Sequence, residues 1–387
     1  MTLSAAVGQA QALDGREAGL QATHHALNQL GAAAPTFGII IASHQYEARQ
    51  VLNGVSSLLN NVPLIGFSTP AALTRHGQHP HSVIVALLSG DRMKAEVHWL
   101  SGYAQSGRET AAQLMQIIRL ARGDTRAVFL LADGFNGDAE QLCAAMQNGE
   151  TLLAGGLSSG DLHTGHTYQI AGNQTGAGSL AAALLQGDLR VGVGFAHGWD
   201  PVGSQFRVTR SRGFWLRTLD GRPASETYAQ LFGYPARDWA FPPLNYLVRL
   251  YPLGVEQAEG LLVRSPLRVE ADGSFRMNAA VQDGLDAYLL IGSPASCRLA
   301  AQRAAQQALT ALGKADPAFV LVLADIAWQM LFKAQPGAEI GAIQEILGED
   351  VPIAGGYTLG QIVPGQARPQ FLNQHILVLA FGGSEKE

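Results

Sequence analysis

The chain has 387 residues, 47% of them hydrophobic and only 15% charged, with a formal net charge of -5. That length allows two or three domains with a sizeable core. The acidic balance and scattered arginines exclude a basic surface for nucleic acid or anionic membrane. Cys143 and Cys297 stand far apart with no CxxC or zinc spacing, so they read as reduced, buried thiols. Asp14, Arg16 and Glu17 occupy the place where a signal peptide needs its apolar core, and no apolar run reaches membrane-spanning length. The expectation is a soluble cytoplasmic protein without membrane insertion.

In chain order, Leu20, His24, Leu27 and Leu30 follow helical spacing up to Gly31, which makes residues 1–30 a helical leader. After Pro35 comes a buried strand, Phe37-Gly-Ile-Ile-Ile41. A helix through Tyr46 to Leu59 leads to Val62-Pro-Leu-Ile-Gly-Phe-Ser-Thr69, an apolar strand ending on glycine and small polar residues. A polar, histidine-rich loop over 74–81 precedes strand, Gly-Asp turn and strand (Ser82–Leu88, Met93–Leu100), read as an antiparallel pair. The order then repeats. A helix over 108–122, the strand Ala127–Asp133 and a helix around Asp138 to Gln147 lead to the strand Thr151-Leu-Leu-Ala-Gly-Gly-Leu-Ser-Ser-Gly-Asp161. A second pair follows, Ser179–Leu185 and Leu189–Phe195. A third round comprises Phe319–Asp325, Val351-Pro-Ile-Ala-Gly-Gly-Tyr-Thr-Leu-Gly-Gln-Ile362 and His375–Phe381.

Three rounds of strand, helix, strand and hairpin predict an α+β protein with mixed sheets covered by helices. Residues from about 208 to 281 differ in character and mark a second domain, with the boundary near Gly221. The expected domains are therefore 31–221, holding two repeats, and 222–387. A glycine at a strand end permits close approach of another chain or a ligand, so a site is expected where the three glycine-ended strands converge.

Several motifs suggest chemistry. Gly156-Leu-Ser158-Ser159-Gly160 fits the G-x-S-x-G nucleophile pattern after a strand, but no helix follows to expose Ser158, which leaves a hydrolase as an alternative only. His76, His79 and His81 share one loop, and His163 and His166 form an HxxH; loop imidazoles without a fixed carboxylate read as solvated before they read as metal ligands. Asp133 to Asp138 lacks the twelfth-position glutamate of a calcium loop and reads as a helix start. No dinucleotide or P-loop glycine motif is present. His197 and His375 each abut an apolar strand, where an imidazole is either a core residue bonded to a carbonyl or an axial ligand.

Taken in order, Ile65-Gly-Phe-Ser-Thr69, Ala154-Gly-Gly156, the run from Gly192 to Gly203 with His197, Asp220-Gly-Arg-Pro-Ala224, Tyr251-Pro-Leu-Gly-Val255, Arg264-Ser-Pro266 and Gly355-Gly356-Tyr357-Thr358-Leu-Gly-Gln361-Ile362 resemble the FIST family, an N-terminal FIST domain followed by its C-terminal partner. The resemblance implies a non-catalytic sensory module for small ligands such as amino acids. It also implies signalling through a separate partner, a histidine kinase or a cyclic-di-GMP enzyme. In length and layout the chain is similar to the nitric-oxide-sensing, haem-binding (NosP-like) group, which brings in haem b with His375 or His197 as axial ligand. Gln361 stands where many members carry glutamate, Ala324 to Met330 where a cysteine and an arginine are common, and Asn373-Gln-His375 where Asn-x-Thr is usual. Loss of charge there favours a more apolar ligand than a zwitterionic amino acid. The expected ligand contacts are Phe67, Ser68, Thr69, Ser158, Ser159, Asp161, Arg264, Trp328, Gly355, Gly356, Tyr357, Thr358, Gln361 and Asn373.

Overall fold

The computed structural model describes residues 3–121, 125–147, 149–257 and 260–383. Arg122, the expected end of a helix, lies outside them. The chain forms two compact units. One contains residues 3–196, 298–371 and 375–383, and the other contains His197–Cys297 with Leu372–Gln374.

The first unit uses one pattern three times. Round one runs β1 (Ser4–Ala10), α1 (Gly15–Leu30), β2 (Phe37–Ser43), α2 (Ala48–Ser56), β3 (Leu64–Thr69), the hairpin β4 (Ala71–Thr74) and β5 (Gly77–Pro80), and β6 (Val83–Ser89). Round two repeats it as β7 (Met93–Leu100), α3 (Gly107–Leu120), β8 (Thr125–Asp133), α4 (Ala139–Ala145), β9 (Leu152–Ser158), the hairpin β10 (Gln169–Ala171) and β11 (Gln174–Gly176), and β12 (Leu180–Gly187). Round three opens with β13 (Leu189–Ala196), and the chain then builds the second unit. That unit holds β14 (Trp199–Arg212), β15 (Trp215–Leu219), β16 (Arg222–Pro223), α5 (Ala224–Phe232), α6 (Leu244–Leu247), β17 (Leu253–Gln257), β18 (Gly260–Arg264), β19 (Pro266–Val269), β20 (Phe275–Met277) and β21 (Asp286–Gly292). Round three resumes with α7 (Pro294–Leu312), β22 (Phe319–Asp325), α8 (Ile326–Leu331), α9 (Ala338–Leu347), β23 (Ile353–Thr358), β24 (Gln361–Val363), β25 (Gln370–Leu372) and β26 (Ile376–Gly383).

Local chemistry sets the helix starts. Asp14, Ser106 and Asp138 cap α1, α3 and α4 by accepting from the backbone N–H three residues on. Such side chains satisfy amides that have no partner within the helix. Small residues then let helix and strand approach closely. A Cβ on Gly8 of β1 would lie 2.0 Å from the carbonyl oxygen of Ala22 in α1, and one on Gly194 of β13 would lie 1.9 Å from that of Ala304 in α7.

The three sheets have strand orders β1-β6-β2-β3-β10-β11, β7-β12-β8-β9-β24-β25 and β13-β26-β22-β23-β4-β5. Within each sheet only the two middle strands of the round, β2 with β3, β8 with β9 and β22 with β23, run parallel. The small hairpin on each sheet comes from another round. Round two supplies the first sheet, round three the second and round one the third.

Several expectations change. Ser4–Ala10 is a strand at a sheet edge with alternating burial, so residues 1–30 are not a purely helical leader. The Gly-Asp turns do not close antiparallel pairs. β6 already has β1 and β2 on its two edges, so β7 must leave for the second sheet, and β12, flanked by β8 and β7, sends β13 to the third. The histidine-rich loop contains a strand, with His79 paired opposite Ala72. The compact units are a separate feature from the expected domain boundary near Gly221, because β22, β23 and β26 share a sheet with β13 and with the hairpin of round one.

The second unit is an antiparallel sheet, β18-β17-β21-β14-β15-β20-β19 with β16 beside β15. Its core includes Val208, Leu219, Tyr228, Trp239 and Phe275. The Tyr228 ring meets Trp239 and Phe275 edge-on, at 86° and 89°.

The repeated glycine has one geometric cause. Gly66, Gly155 and Gly355 hold equivalent register positions, opposite Ile40, Leu130 and Val322. A Cβ on each would lie 2.6, 1.9 and 2.3 Å from the carbonyl oxygen of that opposite residue. The second glycine of the pair is not shared, since Phe67 stands at the register position of Gly156 and Gly356. We expect Gly155→Ala to destabilise the first unit by about 1–3 kcal/mol. Gly341→Ala, in α9 with no heavy atom within 4 Å of the added Cβ, should be neutral or stabilise by about 0.5–1 kcal/mol. Urea unfolding midpoints measure both, and equal midpoints for the two variants would contradict the close-approach account.

Candidate functional site: the strand-end junction

β3, β9 and β23 each touch the other two. Their last residues, Thr69, Ser158 and Thr358, sit at equivalent positions opposite Ser43, Asp133 and Asp325. All three hydroxyls are fully buried. The register explains their bonds. Ser158 Oγ lies 3.1 Å from the oxygen of Ala132, and Thr358 Oγ1 lies 3.2 Å from that of Ala324, one residue back on the neighbouring strand in each case.

The exchanged hairpins add two glutamines. Gln169 pairs opposite Phe67, and Gln361 pairs opposite Gly156. Gln361 Nε2 donates to Thr358 Oγ1 at 2.9 Å, and its Oε1 accepts the His375 backbone N–H at 3.2 Å. Of the two orientations of the Gln169 amide, one satisfies both ends. Its Oε1 then accepts from Ser158 Oγ at 2.6 Å, while its Nε2 donates to the carbonyls of Gly176 and Ser179 at 3.2 and 3.1 Å.

Round-to-round bonds close the rest. Thr69 Oγ1 accepts the Tyr357 N–H at 2.9 Å, and Ser159 Oγ donates to the Tyr357 carbonyl at 2.5 Å. Ser68 Oγ donates to the Ser159 carbonyl at 2.8 Å and accepts the Tyr168 N–H at 2.9 Å. Thr167 Oγ1 bonds Ser158 Oγ at 2.7 Å. Buried polar groups are costly unless paired, and a fully paired network fixes one arrangement. Here the polar atoms answer one another.

Phe67, Ser68, Thr69, Ser158, Ser159, Gly355, Gly356, Tyr357, Thr358 and Gln361 therefore come together at the strand ends as a sealed junction. Ser158 has Ala132, Thr167 and Gln169 as neighbours, and none of them is a base that could activate it. Asp161 is half-buried and turns back on its own loop, accepting the His163 N–H at 2.8 Å. Trp328 is buried in α8, its ring 6.1 Å from that of Phe332. Arg264 and Asn373 belong to the second unit, where Asn373 Oδ1 accepts the Ser265 N–H at 3.4 Å.

The histidines separate likewise. His375 belongs to the first unit, largely buried with its ring 6.3 Å from that of Phe195. His197 belongs to the second, its Nδ1 accepting the Trp199 N–H at 3.3 Å. Two cavities stand out in the first unit. One is a small apolar void between Phe129, Leu185 and Phe381, and the other is a cleft of about 250 Å³ beside Gln9, His25, Arg75 and Ile353. Neither is lined by His375 or His197, and the larger falls below the roughly 300 Å³ at which pockets for drug-sized ligands begin. Among the described residues, no group of three or more His, Cys, Asp or Glu is placed to hold a metal ion.

Two environments shift titrating groups near the junction. Burial lowers the pKa of His44 at the end of β2, with partial opposition from its bond to the Thr69 carbonyl and from nearby Asp161. Burial raises the carboxyl of Glu339 in α9 above its ordinary value, although its bond with the Tyr357 hydroxyl pulls the other way. The same hydroxyl lies 3.2 Å from Gln78 Oε1 on the exchanged hairpin. Neither Gln169 nor Glu339 stood out in the sequence. Aligning the hairpins of the three rounds would have exposed Gln169 as the counterpart of Gln361, whereas Glu339 has no sequence signal beyond its place in an apolar helix.

The FIST N domain model matches residues 36–222, and the FIST C domain model matches residues 224–364. The chain belongs to the FIST family. Two relatives of this FIST protein are the uncharacterized proteins Mb0898c of Mycobacterium bovis and MT0897 of Mycobacterium tuberculosis. Each is 24% identical over 373 residues, which covers 92% of this chain and 93% of the relative. Among solved structures, a cyanuric acid hydrolase from A. caulinodans is 11% identical over 76% of this chain and 68% of its own, with a TM-score of 0.26. PurLQS from Thermotoga maritima is 10% identical over 99% and 73%, again with a TM-score of 0.26. The FIST C match begins in the second unit and ends within round three, so the boundary between FIST domains and the boundary between compact units are different features.

The junction makes two predictions. A carboxyl whose pKa is raised on folding stabilises below its unfolded value and loses that contribution as pH rises through the folded value. Stability of the FIST protein should therefore fall as pH climbs above the ordinary carboxyl range, and Glu339→Gln should remove that fall; an unchanged pH profile in the variant would refute the assignment. Gln361→Glu replaces the donor to Thr358 with an acceptor in a sealed site. It should cost about 1–3 kcal/mol at neutral pH, measured by urea unfolding, and wild-type stability would show that the site is open to water.

Proposed function

We propose that this FIST protein is a non-catalytic sensor of a small ligand that passes its signal to a separate protein, a histidine kinase or a cyclic-di-GMP enzyme. The observation that carries the reading is the match of both FIST domain models along the chain. The sealed strand ends support it, because the one serine in a nucleophile-like motif has no base among its hydrogen-bond partners. Ligand binding changes the balance between two conformations only by the difference in its affinity for them. Recognition is accordingly placed at an accessible cleft and not at the junction. Among the described residues no helix is long and apolar enough to cross a membrane.

The haem-bearing, nitric-oxide-responsive form of this reading needs iron on His375 or His197. Neither of the two cavities described above is lined by these imidazoles, and the proposal rests on a small organic ligand. Purified protein prepared with haem supplied should show no Soret band. A band that shifts with nitric oxide and is lost in His375→Ala or His197→Ala would replace the organic-ligand version with the haem version. A metabolite screen by thermal shift tests the sensor itself, and raised unfolding temperature with one chemical class is the expected result. Turnover of an ester or amide substrate that is abolished by Ser158→Ala would contradict it.

A further inference from the structure

The cleft of about 250 Å³ in the first unit lies where round three closes on round one. β1 and the C-terminal half of α1 form one side, the turn of the β4–β5 hairpin another, and the start of β23 the floor. Its polar lining is Gln9, His25, Gln29, Thr74, Arg75 and His76, and Ile353 contributes apolar surface. None of the residues that line it is acidic. Among the described residues no carboxylate pairs with Arg75, although most other ion pairs of the fold use arginine.

Hydrogen bonds tie the lining to the hairpin turn and to β1. Arg75 Nε donates to His76 Nε2 at 3.2 Å, which orients the guanidinium and leaves its two terminal nitrogens for another acceptor. The His76 backbone N–H bonds Thr74 Oγ1 at 3.1 Å, and that oxygen also lies 2.7 Å from His79 Nε2, fixing the turn. His25 Nδ1 lies 2.9 Å from the Gln9 carbonyl, so it is the donor there and the imidazole is tied to β1. A planar guanidinium with both terminal nitrogens available matches a carboxylate in bidentate fashion.

We propose that this cleft binds a small monocarboxylate with a short apolar body and no ammonium group. The assignment deepens the sensor reading and rests on it. The negative charge is set by Arg75, whose guanidinium is always cationic. A single charge is favoured over a dianionic phosphate because Gln29 lies in the last turn of α1, where the helix dipole opposes added negative charge. The apolar body is set by Ile353 and its neighbours. The missing ammonium follows from the lining, which offers no carboxylate to pair with one.

The test is isothermal titration of the full chain with 4-methyl-2-oxopentanoate, with leucine, which has the same body plus an ammonium group, and with inorganic phosphate. The oxo acid should bind saturably and at least tenfold more tightly than leucine or phosphate. Arg75→Gln, at an exposed position, should lose that binding at least tenfold, with Arg75→Lys in between and thermal stability unchanged. Hydrogen exchange should slow at the amides of residues 74–76 when the oxo acid is added. Absence of saturable binding, preference for leucine or phosphate, or binding unchanged in Arg75→Gln would each overturn the assignment. Those outcomes leave the sensor reading standing, because it fails separately, when no ligand class in the thermal-shift screen raises the unfolding temperature.

Discussion

Each sheet of the first unit ends in a hairpin that another round of the chain provides, and the second buried strand of each round must approach its neighbour closely enough to exclude a Cβ. These two constraints are linked. The strand that carries the critical glycine, β3, β9 or β23, is also the strand onto which the foreign hairpin pairs. No round can complete its sheet alone, so the three rounds form a single packed body. Stability gained by pairing is shared among segments that are hundreds of residues apart in the chain, as the Thr69–Tyr357 and Ser159–Tyr357 bonds show.

The same closure explains why the strand ends make a poor open site. Three hydroxyls brought to one place by repetition would be costly if left bare. The fold answers with Gln169, Gln361 and Thr167 from the segments that follow the strands. What is left accessible lies at the seams between rounds, where side chains of unrelated elements meet. The Arg75 cleft is such a seam, and a ligand there touches β1, α1, the exchanged hairpin and β23 together. On the proposed reading, this is how a small molecule gains leverage over the whole unit.

Much of the architecture was legible because repetition leaves matching runs. The three glycine-ended strands, the buried strands Phe37–Ser43, Thr125–Asp133 and Phe319–Asp325 and the capped helices all carry local signals. Pairing between rounds was not legible, because a Gly-Asp turn looks the same whether it closes a hairpin or hands the chain to the next sheet. β1 was missed for a similar reason. Its Ser-Ala-Ala-Val-Gly-Gln-Ala sequence has weak strand propensity, and pairing with β6 together with the close fit of Gly8 against α1 explains its placement. Of the candidate site, the cluster of residues could be read but not its sealing, since sealing depends on Gln169 and Thr167 arriving from a hairpin that pairs with another round. Arg75 and His25 stand fifty residues apart, and nothing local marks them as neighbours.

The central claim is that three rounds fold as one unit through exchanged hairpins and a shared polar junction. Native-state hydrogen exchange, followed at the amides of β3, β9 and β23 across low denaturant concentrations, tests it most directly, because residues of one cooperative unit share an opening free energy. The account predicts that these three strands converge on the same opening free energy and the same denaturant dependence. Exchange of β23 through a separate, lower-energy opening, with β3 and β9 still protected, would contradict it.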